Sequence, residues 1–450
     1  MANGYWQKLL RVDLSIGKYY VEDISEDELK DYIGGAGLGG SLLYREVPEK
    51  ISAYDPENKI IFATGPFQGP AIPGGAKFSI VGISPLTNTF ADTAAGASFG
   101  PGLKDAGYDV LILQGCSKTP VYLHILDDKV ELIEASWLMG MDAYETVDAI
   151  HKKHEDKKLS ISCIGQAGEN QVAIACIVVD KHSFAGRCGL GAVMGSKNIK
   201  AVAVRGTRNV PVHNPEQAKK LMQQFSKEIA QEVKDNCLRE HATPSLCIEL
   251  EELGDMPIKY WSGDRWPEGA AKLGAPNYTK TLNAKPYPCK FCPVGCHRKI
   301  SISQPAEYCL EGPGPEYEAL GMMGTNLLID DPKAVAKAND LANRMGMDCI
   351  STGAMIGFAI ECYEKGLINY EDTGGLELKW GDPDILIELT KQIGEKRDFG
   401  SVFAEGTLFA AHKIGQGSQE IVAHVKGLDL AAHDARACFS LAPSYATATR

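Results

Sequence analysis

Positive charge is scarce in this 450-residue chain: 46 lysines and arginines face 58 aspartates and glutamates, for a formal net charge of -12. Binding nucleic-acid phosphates takes a basic face, so the balance excludes that class of partner. The most basic run, HKKHEDKK from His151 to Lys158, is interrupted by acids and reads as a solvated helix end. Long apolar runs are absent too; none approaches the roughly 18 residues of a spanning helix. Met1 to Ser25 lacks the charged head, apolar centre and small-residue cleavage site of an export signal, so the cytoplasm is the expected location. There is no internal repeat and no low-complexity segment. Reduced thiols are the rule in that compartment, and the 13 cysteines are accordingly not read as disulfides. Cys163 and Cys176 sit in apolar runs and read as small core residues.

What is abundant is glycine. The 47 glycines exceed the average share of about 7%, which suits tight turns and close approaches to a buried ligand. Residues 1–208 read mainly as strands: KLLRVDLSIGKYYVEDI gives two alternating runs around a turn, and KFSIVGIS, DVLILQG, PVYLHILDDKVELIEA and KAVAVRG follow. Short helices interrupt them at SEDELKDYIGG and DAYETVDAIHKKHED. From residue 209 the apolar spacing changes to three and four, predicting helices over 215–237, 332–345, 351–366 and 384–398. DDPKAVAKANDLANRMGMD carries a capping Asp331, an opening Pro332 and a closing Gly346. The expected class is α+β: a β-sheet base domain over 1–208, a helical domain over 209–422, and the start of a further helical domain over 423–450 that breaks off early.

Two glycine runs invite misreading. GGAGLGG matches a dinucleotide fingerprint on paper, but a helical segment precedes it where a strand is required. GRCGLGAVMGSKNIK lacks the frame of a nucleotide P-loop; Arg187 beside Gly189 and Gly191 suits either a phosphate-bearing ligand or a close-packed turn. YPCKFCPVGCHRK spaces Cys289, Cys292 and Cys296 for a loop around one metal centre. Zinc with His297 as a further ligand, a [4Fe-4S] cluster and a plain thiol-rich loop compete, and the spacing suits the cluster best. Of the distant cysteines, Cys349 and Cys362 lie in apolar helical surroundings and read as core; Cys438 is the strongest internal candidate for a fourth ligand.

Taken in order, GGAGLGG, GISPLT, GLKDAGYD, RCGLGAVMGSKNIKAV, YPCKFCPVGC, GPEYEALG and GMDCISTG resemble the aldehyde:ferredoxin oxidoreductase family of tungsten enzymes. The resemblance implies a β-sheet base carrying a tungsten or molybdenum bis-pyranopterin, helical domains above it and a [4Fe-4S] cluster nearby. Cys289, Cys292 and Cys296 would be three cluster ligands, the fourth lying beyond residue 450. Arg187 would belong to the pterin site, with Lys77 and Gly96 near the cofactor. The carbonyls of Thr93 and Cys188 would bind the Mg2+ that bridges the pterin phosphates. Glu318 would point at the metal as general acid or base. The family's Asp-x-x-Gly-Leu-Asp pterin motif stands here as Asn343 to Asp348, with Gly346 inside it, so one carboxylate has become an amide. Lys337 stands where some members carry a glutamate that binds iron between subunits. A second pterin motif and an active-site histidine would follow residue 450, so a cropped or truncated enzyme is the expectation.

The implied activity is oxidation of an aldehyde to its acid, or the reverse, with electrons passing through the cluster to ferredoxin or an iron-sulfur/flavin subunit. Homo-oligomers and larger complexes both suit such an enzyme. Reduction of an aromatic thioester or a carboxylate is the alternative within the fold. An inactive metal-binding interaction subunit is the alternative outside it.

Overall fold

The computed structural model describes residues 3–70, 72–235 and 237–450. Asn236, near the end of the helix expected over 215–237, lies outside them; the helix itself runs Pro215–Glu232.

Two six-stranded sheets form the base. The first contains β1 (Lys8–Asp13), β2 (Lys18–Asp23), β3 (Ile60–Ala63), β4 (Phe78–Ile83), β5 (Phe90–Ala95) and β6 (Val110–Gln114), in the order β2-β1-β6-β3-β4-β5. The second contains β7 (Val121–Leu126), β8 (Lys129–Glu134), β9 (Ser160–Cys163), β10 (Ile177–Val179), β11 (Ser183–Ala185) and β12 (Ile199–Arg205), in the order β11-β10-β9-β12-β7-β8. Each sheet has one parallel pair, β1 with β6 and β7 with β12, inside an otherwise antiparallel ladder. The sequence explains why the sheets stack. In β6, Leu111 and Leu113 enter the core between the sheets, while Val110 and Ile112 face the helices Glu26–Tyr32 and Gly35–Glu46 on the outer side. A central strand buried on both faces needs such a continuous apolar run. In β12, Val202 and Val204 meet the same inner core and Ala201 and Ala203 face the Ala143–His154 helix.

The remainder is mostly helical around a separate core. Its central pair is Pro332–Met345 and Cys349–Glu364, as the sequence predicts, with Asp331 capping the first through a 2.8 Å bond from the Lys333 N–H. One element was not foreseen: a three-stranded antiparallel sheet of β13 (Lys285–Tyr287), β14 (His297–Ile302) and β15 (Leu310–Pro313), whose first connection is the cysteine loop. The last segment adds a small ribbon, β16 (His424–Val425) with β17 (Leu428–Asp429), and a short helix, Leu441–Ala446.

The two parts are joined through main chain. Cys176 N–H donates to Gly346 O at 2.8 Å, Asp348 N–H donates to Ile174 O at 3.0 Å, and Ala175 pairs with Met347 as an isolated bridge. Glycine makes the approach possible. A Cβ on Gly165 would stand 2.3 Å from Met345 O, and Gly346 adopts φ +71°. No helix among the described residues is long and apolar enough to cross a membrane.

Candidate active and cofactor site

A cavity of about 690 Å3 opens where the base, the three-stranded sheet and the helical pair meet. Lys77 and Gly96 line it from the first sheet, Ser183 and Gly186 from the second, Cys289 and His297 from the cysteine loop and its exit, and Asn343, Asp348 and Cys349 from the helices. A smaller cavity, about 280 Å3, is lined by Arg187, Glu318, Asp429, Tyr445 and Arg450.

Arg187 and Asp348 stand between the two. Asp348 caps the Cys349–Glu364 helix with Oδ1, which accepts the Ile350 N–H at 3.0 Å. Its Oδ2 lies 3.5 Å from Arg187 Nε and takes no hydrogen bond. Arg187 donates through Nη2 to the Asp429 carbonyl, and Nη1 has no partner among the described residues. Burial pushes the Asp348 carboxyl upward, opposed by Arg187; it also pushes Asp429 up to about 6. The Thr407 and Ser351 hydroxyls face Asp429 closely enough to oppose that rise without reaching hydrogen-bond geometry. Buried polar atoms left unpaired cost about 1–3 kcal/mol each, so these orphans on Arg187 and Asp348 fit a polar ligand at the cavity. The helix N-terminus beside them favours negative charge on it.

Glu318 lies in the first turn of the Tyr317–Met323 helix. Its Oε2 accepts the Ala432 N–H at 2.8 Å, and the third of its side chain that is accessible (33%) faces the smaller cavity. Burial raises its pKa; the Ala432 hydrogen bond, His433 and Arg187 oppose the shift. A carboxyl so placed holds its proton to a higher pH than an ordinary glutamate and can serve as acid or base.

The cysteine loop curls because Phe291 and Gly295 both take φ near +62° and Cys292 N–H donates back to Cys289 O at 3.0 Å. All three thiols are half-buried. The His297 side chain lowers the pKa of Cys289, whereas burial raises that of Cys296. Gly96 closes on Cys289: a Cβ there would meet Sγ at 3.4 Å. Zinc requires donors about 2.3 Å from one point. Among the described residues no three His, Cys, Asp or Glu side chains converge on such a point; three thiols at this spacing are the donor chemistry of an iron-sulfur cluster. Cys309 begins the far end of the β14–β15 pairing, where Ile302 meets Leu310, and bonds to Ser303 O. Cys438 faces Ser440 at 3.4 Å.

Not every expected residue reaches a cavity. Gly346 faces the base, with its N–H on Asn343 O and its carbonyl on Cys176. Thr93 is buried in the β4–β5 ladder opposite Ile80, and Cys188 is fully buried with φ +71°; Arg450 reaches Asp92 O at 2.6 Å next to them. Cys349, expected in the core, instead edges the larger cavity. Asp429, His433 and Asp255 are additions, since nothing in their local sequence joins segments so far apart.

A two-sheet base and a helical cover, with a cavity of charged and apolar side chains between them beside a three-cysteine loop, suit a large cofactor-binding oxidoreductase. The chain belongs to the aldehyde ferredoxin oxidoreductase family: the family's N-terminal domain matches residues 9–206, and its domains 2 and 3 match residues 220–450. It is 35% identical over 449 residues to the tungsten-containing aldehyde ferredoxin oxidoreductase of Pyrococcus furiosus, covering 99% of this chain and 73% of that protein. It is 36% identical over 455 residues to the WOR-like subunit of an aliphatic sulfonate oxidoreductase from the same organism, covering 96% of this chain and 72% of the subunit. Among solved structures, the active-site complex BamBC of benzoyl coenzyme A reductase, bound to 1,5-dienoyl-CoA, superposes with a TM-score of 0.85 at 27% identity. That match covers 95% of this chain and 66% of the other.

Proposed function

We propose that this chain is a tungsten- or molybdenum-pterin oxidoreductase that interconverts an aldehyde and its acid: RCHO and H2O give RCOOH, two protons and two electrons. The observation that carries this reading is Glu318, a partly buried carboxyl with a raised pKa near Arg187 at the edge of a cavity. Its relatives' names support the substrate class.

The bis-pyranopterin, when bound, would supply a redox metal held by soft sulfur ligands. Arg187, Asp348 and Asn343 would hold its polar edges through the atoms that protein leaves unpaired or turned to the cavity. Lys77 and Gly96 would face its phosphates, with the carbonyls of Thr93 and Cys188 toward the bridging Mg2+. Cys289, Cys292 and Cys296 would hold three corners of a [4Fe-4S] cluster that passes electrons to ferredoxin or an iron-sulfur/flavin subunit. Glu318 would take a proton from the water that adds to the substrate carbon and surrender it afterwards. We place the divisions of this enzyme at 1–208, 209–422 and 423–450, and its location in the cytoplasm.

The likeness to BamBC supports a second reading, reduction of an aromatic acyl-CoA within a complex. A viologen-linked screen with aldehydes, carboxylates and benzoyl-CoA separates the two. Aldehyde-dependent dye reduction by wild type, lost by at least ~100-fold in Glu318→Gln with bound tungsten retained, is the expected result; activity confined to the thioester would overturn the first reading.

A further inference from the structure

The open third of Glu318 faces the cavity where substrate would sit, so a proton it takes up needs a route that does not cross the substrate. The 432–434 segment offers one. The Tyr317 hydroxyl donates to Ala432 O at 2.7 Å while the Ala432 N–H holds Glu318 Oε2, clamping the segment onto the helix that carries Glu318. The clamp sets the next side chain, His433, with Nε2 3.6 Å from Glu318 Oε1 and Nδ1 2.6 Å from Asp255 Oδ2. The Tyr317 ring lies against the imidazole, centroids 5.1 Å apart. Asp255 is buried, its carbonyl accepts the Asp434 N–H at 2.8 Å, and its Oδ1 has no partner among the described residues. Its neighbours Gly254, Met256 and Asp434 wall a third cavity of about 390 Å3, separate from the two already described.

We propose that His433, oriented by Asp255, is a positioning and proton-relay residue that resets Glu318 by connecting the inner cavity to the one beside Asp255. The inference rests on the reading of Glu318 as the acid-base group. Asp255 is an acceptor, so the neutral imidazole carries its proton on Nδ1 and presents the Nε2 lone pair to Glu318. The 3.6 Å gap exceeds a hydrogen bond and closes with a small side-chain rotation. A protonated Glu318 then passes its proton to Nε2, leaving a carboxylate and an imidazolium between two carboxylates. The imidazolium releases its Nδ1 proton through Asp255 to water, and the Nε2–H tautomer that remains returns to the Nδ1–H form by proton exchange with water at the partly exposed ring. One proton enters and one leaves; no bond between heavy atoms changes, and the two electrons leave by their own path. The other titratable groups around the relay are Tyr317, Tyr445, Arg187, Asp348 and Cys349 on the inner side and Asp434, paired with Arg436, on the outer.

The test uses the anaerobic holoenzyme and two readouts. His433→Gln is expected to lower kcat by ~10-fold to ~100-fold with little change in KM, and added imidazole to restore part of it. Asp255→Asn, which keeps the shape of the side chain, moves kcat in the same direction by less. Infrared titration of the Glu318 carboxyl, assigned by its loss in Glu318→Gln, is expected to show a shifted midpoint in His433→Gln, because the Nε2 atom that faces the carboxyl and accepts its proton is gone. If Glu318→Gln is inactive while both other variants keep wild-type kcat and the carboxyl midpoint stays put, the relay is overturned alone. Full activity in Glu318→Gln would overturn the acid-base reading and the relay with it. A His433→Gln protein that melts early, yet shows neither imidazole rescue nor a shifted midpoint, would reduce the residue to a structural role and overturn the relay as well.

Discussion

Three carboxyls, Glu318, Asp348 and Asp429, stand near Arg187, which opposes the rise that burial gives the pKa of each. Activity that needs the Glu318 carboxylate should therefore climb with pH through a value above the ordinary carboxylate range, and steady-state rates across pH check this. Asp429 gives a stability prediction whose sign follows from linkage. Its folded pKa of about 6 lies above the ordinary aspartate value of 3.8, so the folded state binds the extra proton between those values. Stability present below the lower value is lost as pH rises through the upper one. The window of about two units is worth about 3 kcal/mol. Asp429→Asn removes the titration, so the stability of the variant relative to wild type should grow by about 3 kcal/mol from about pH 4 to about pH 7 in urea unfolding. Glu318, Arg187 and Asp348 were legible from quoted motifs. The Asp255–His433 contact was not, because its partners stand 178 positions apart and neither lies in a periodic pattern.

Among the elements, the cysteine loop and the joint between the two parts carry most weight. Cys292→Ala should lower iron per chain and abolish the low-temperature EPR signal of the reduced protein; an unchanged spectrum would remove the loop from the cluster. Gly346→Ala places a side chain at φ +71° and 2.9 Å from Gly165 N, a strain of about 1–3 kcal/mol that a thermal melt should register. The helix that Gly346 ends was readable in advance, since Asp331, Pro332 and Gly346 are start and stop signals with local causes. The helix Gly35–Glu46 was hidden, because its glycine-rich opening has poor intrinsic propensity. Tertiary packing explains it: a Cβ on Gly39 would stand 2.9 Å from Val81 Cγ2, so the bare backbone is what lets this helix lie on β4. The three-stranded sheet was missed for a related reason. Its strands are short, and β13 has no buried residue to mark it with an alternating pattern.

At the scale of the molecule, sequence patterning conveyed the division between a strand-rich base and a helical cover, because a period of two gives way to one near 3.6 around residue 209. It could not convey that the cavity walls come from both, which only the folded topology brings together. Elemental analysis of oxygen-free protein should find tungsten or molybdenum together with iron; zinc alone would contradict the cofactor assignment. The net charge of -12 makes contact with an acidic carrier unfavourable at long range, so salt should speed dye-free electron transfer to such a carrier by screening the repulsion, as stopped-flow rates at two ionic strengths would register. The seam between base and cover has a further consequence. Ile174, Ala175 and Cys176 grip Gly346, Met347 and Asp348 through peptide groups and not through side chains. Side chains lining the chamber can change without loosening this joint, so the scaffold keeps presenting position 348 at the same spot: new chemistry can be tried on an unmoved frame.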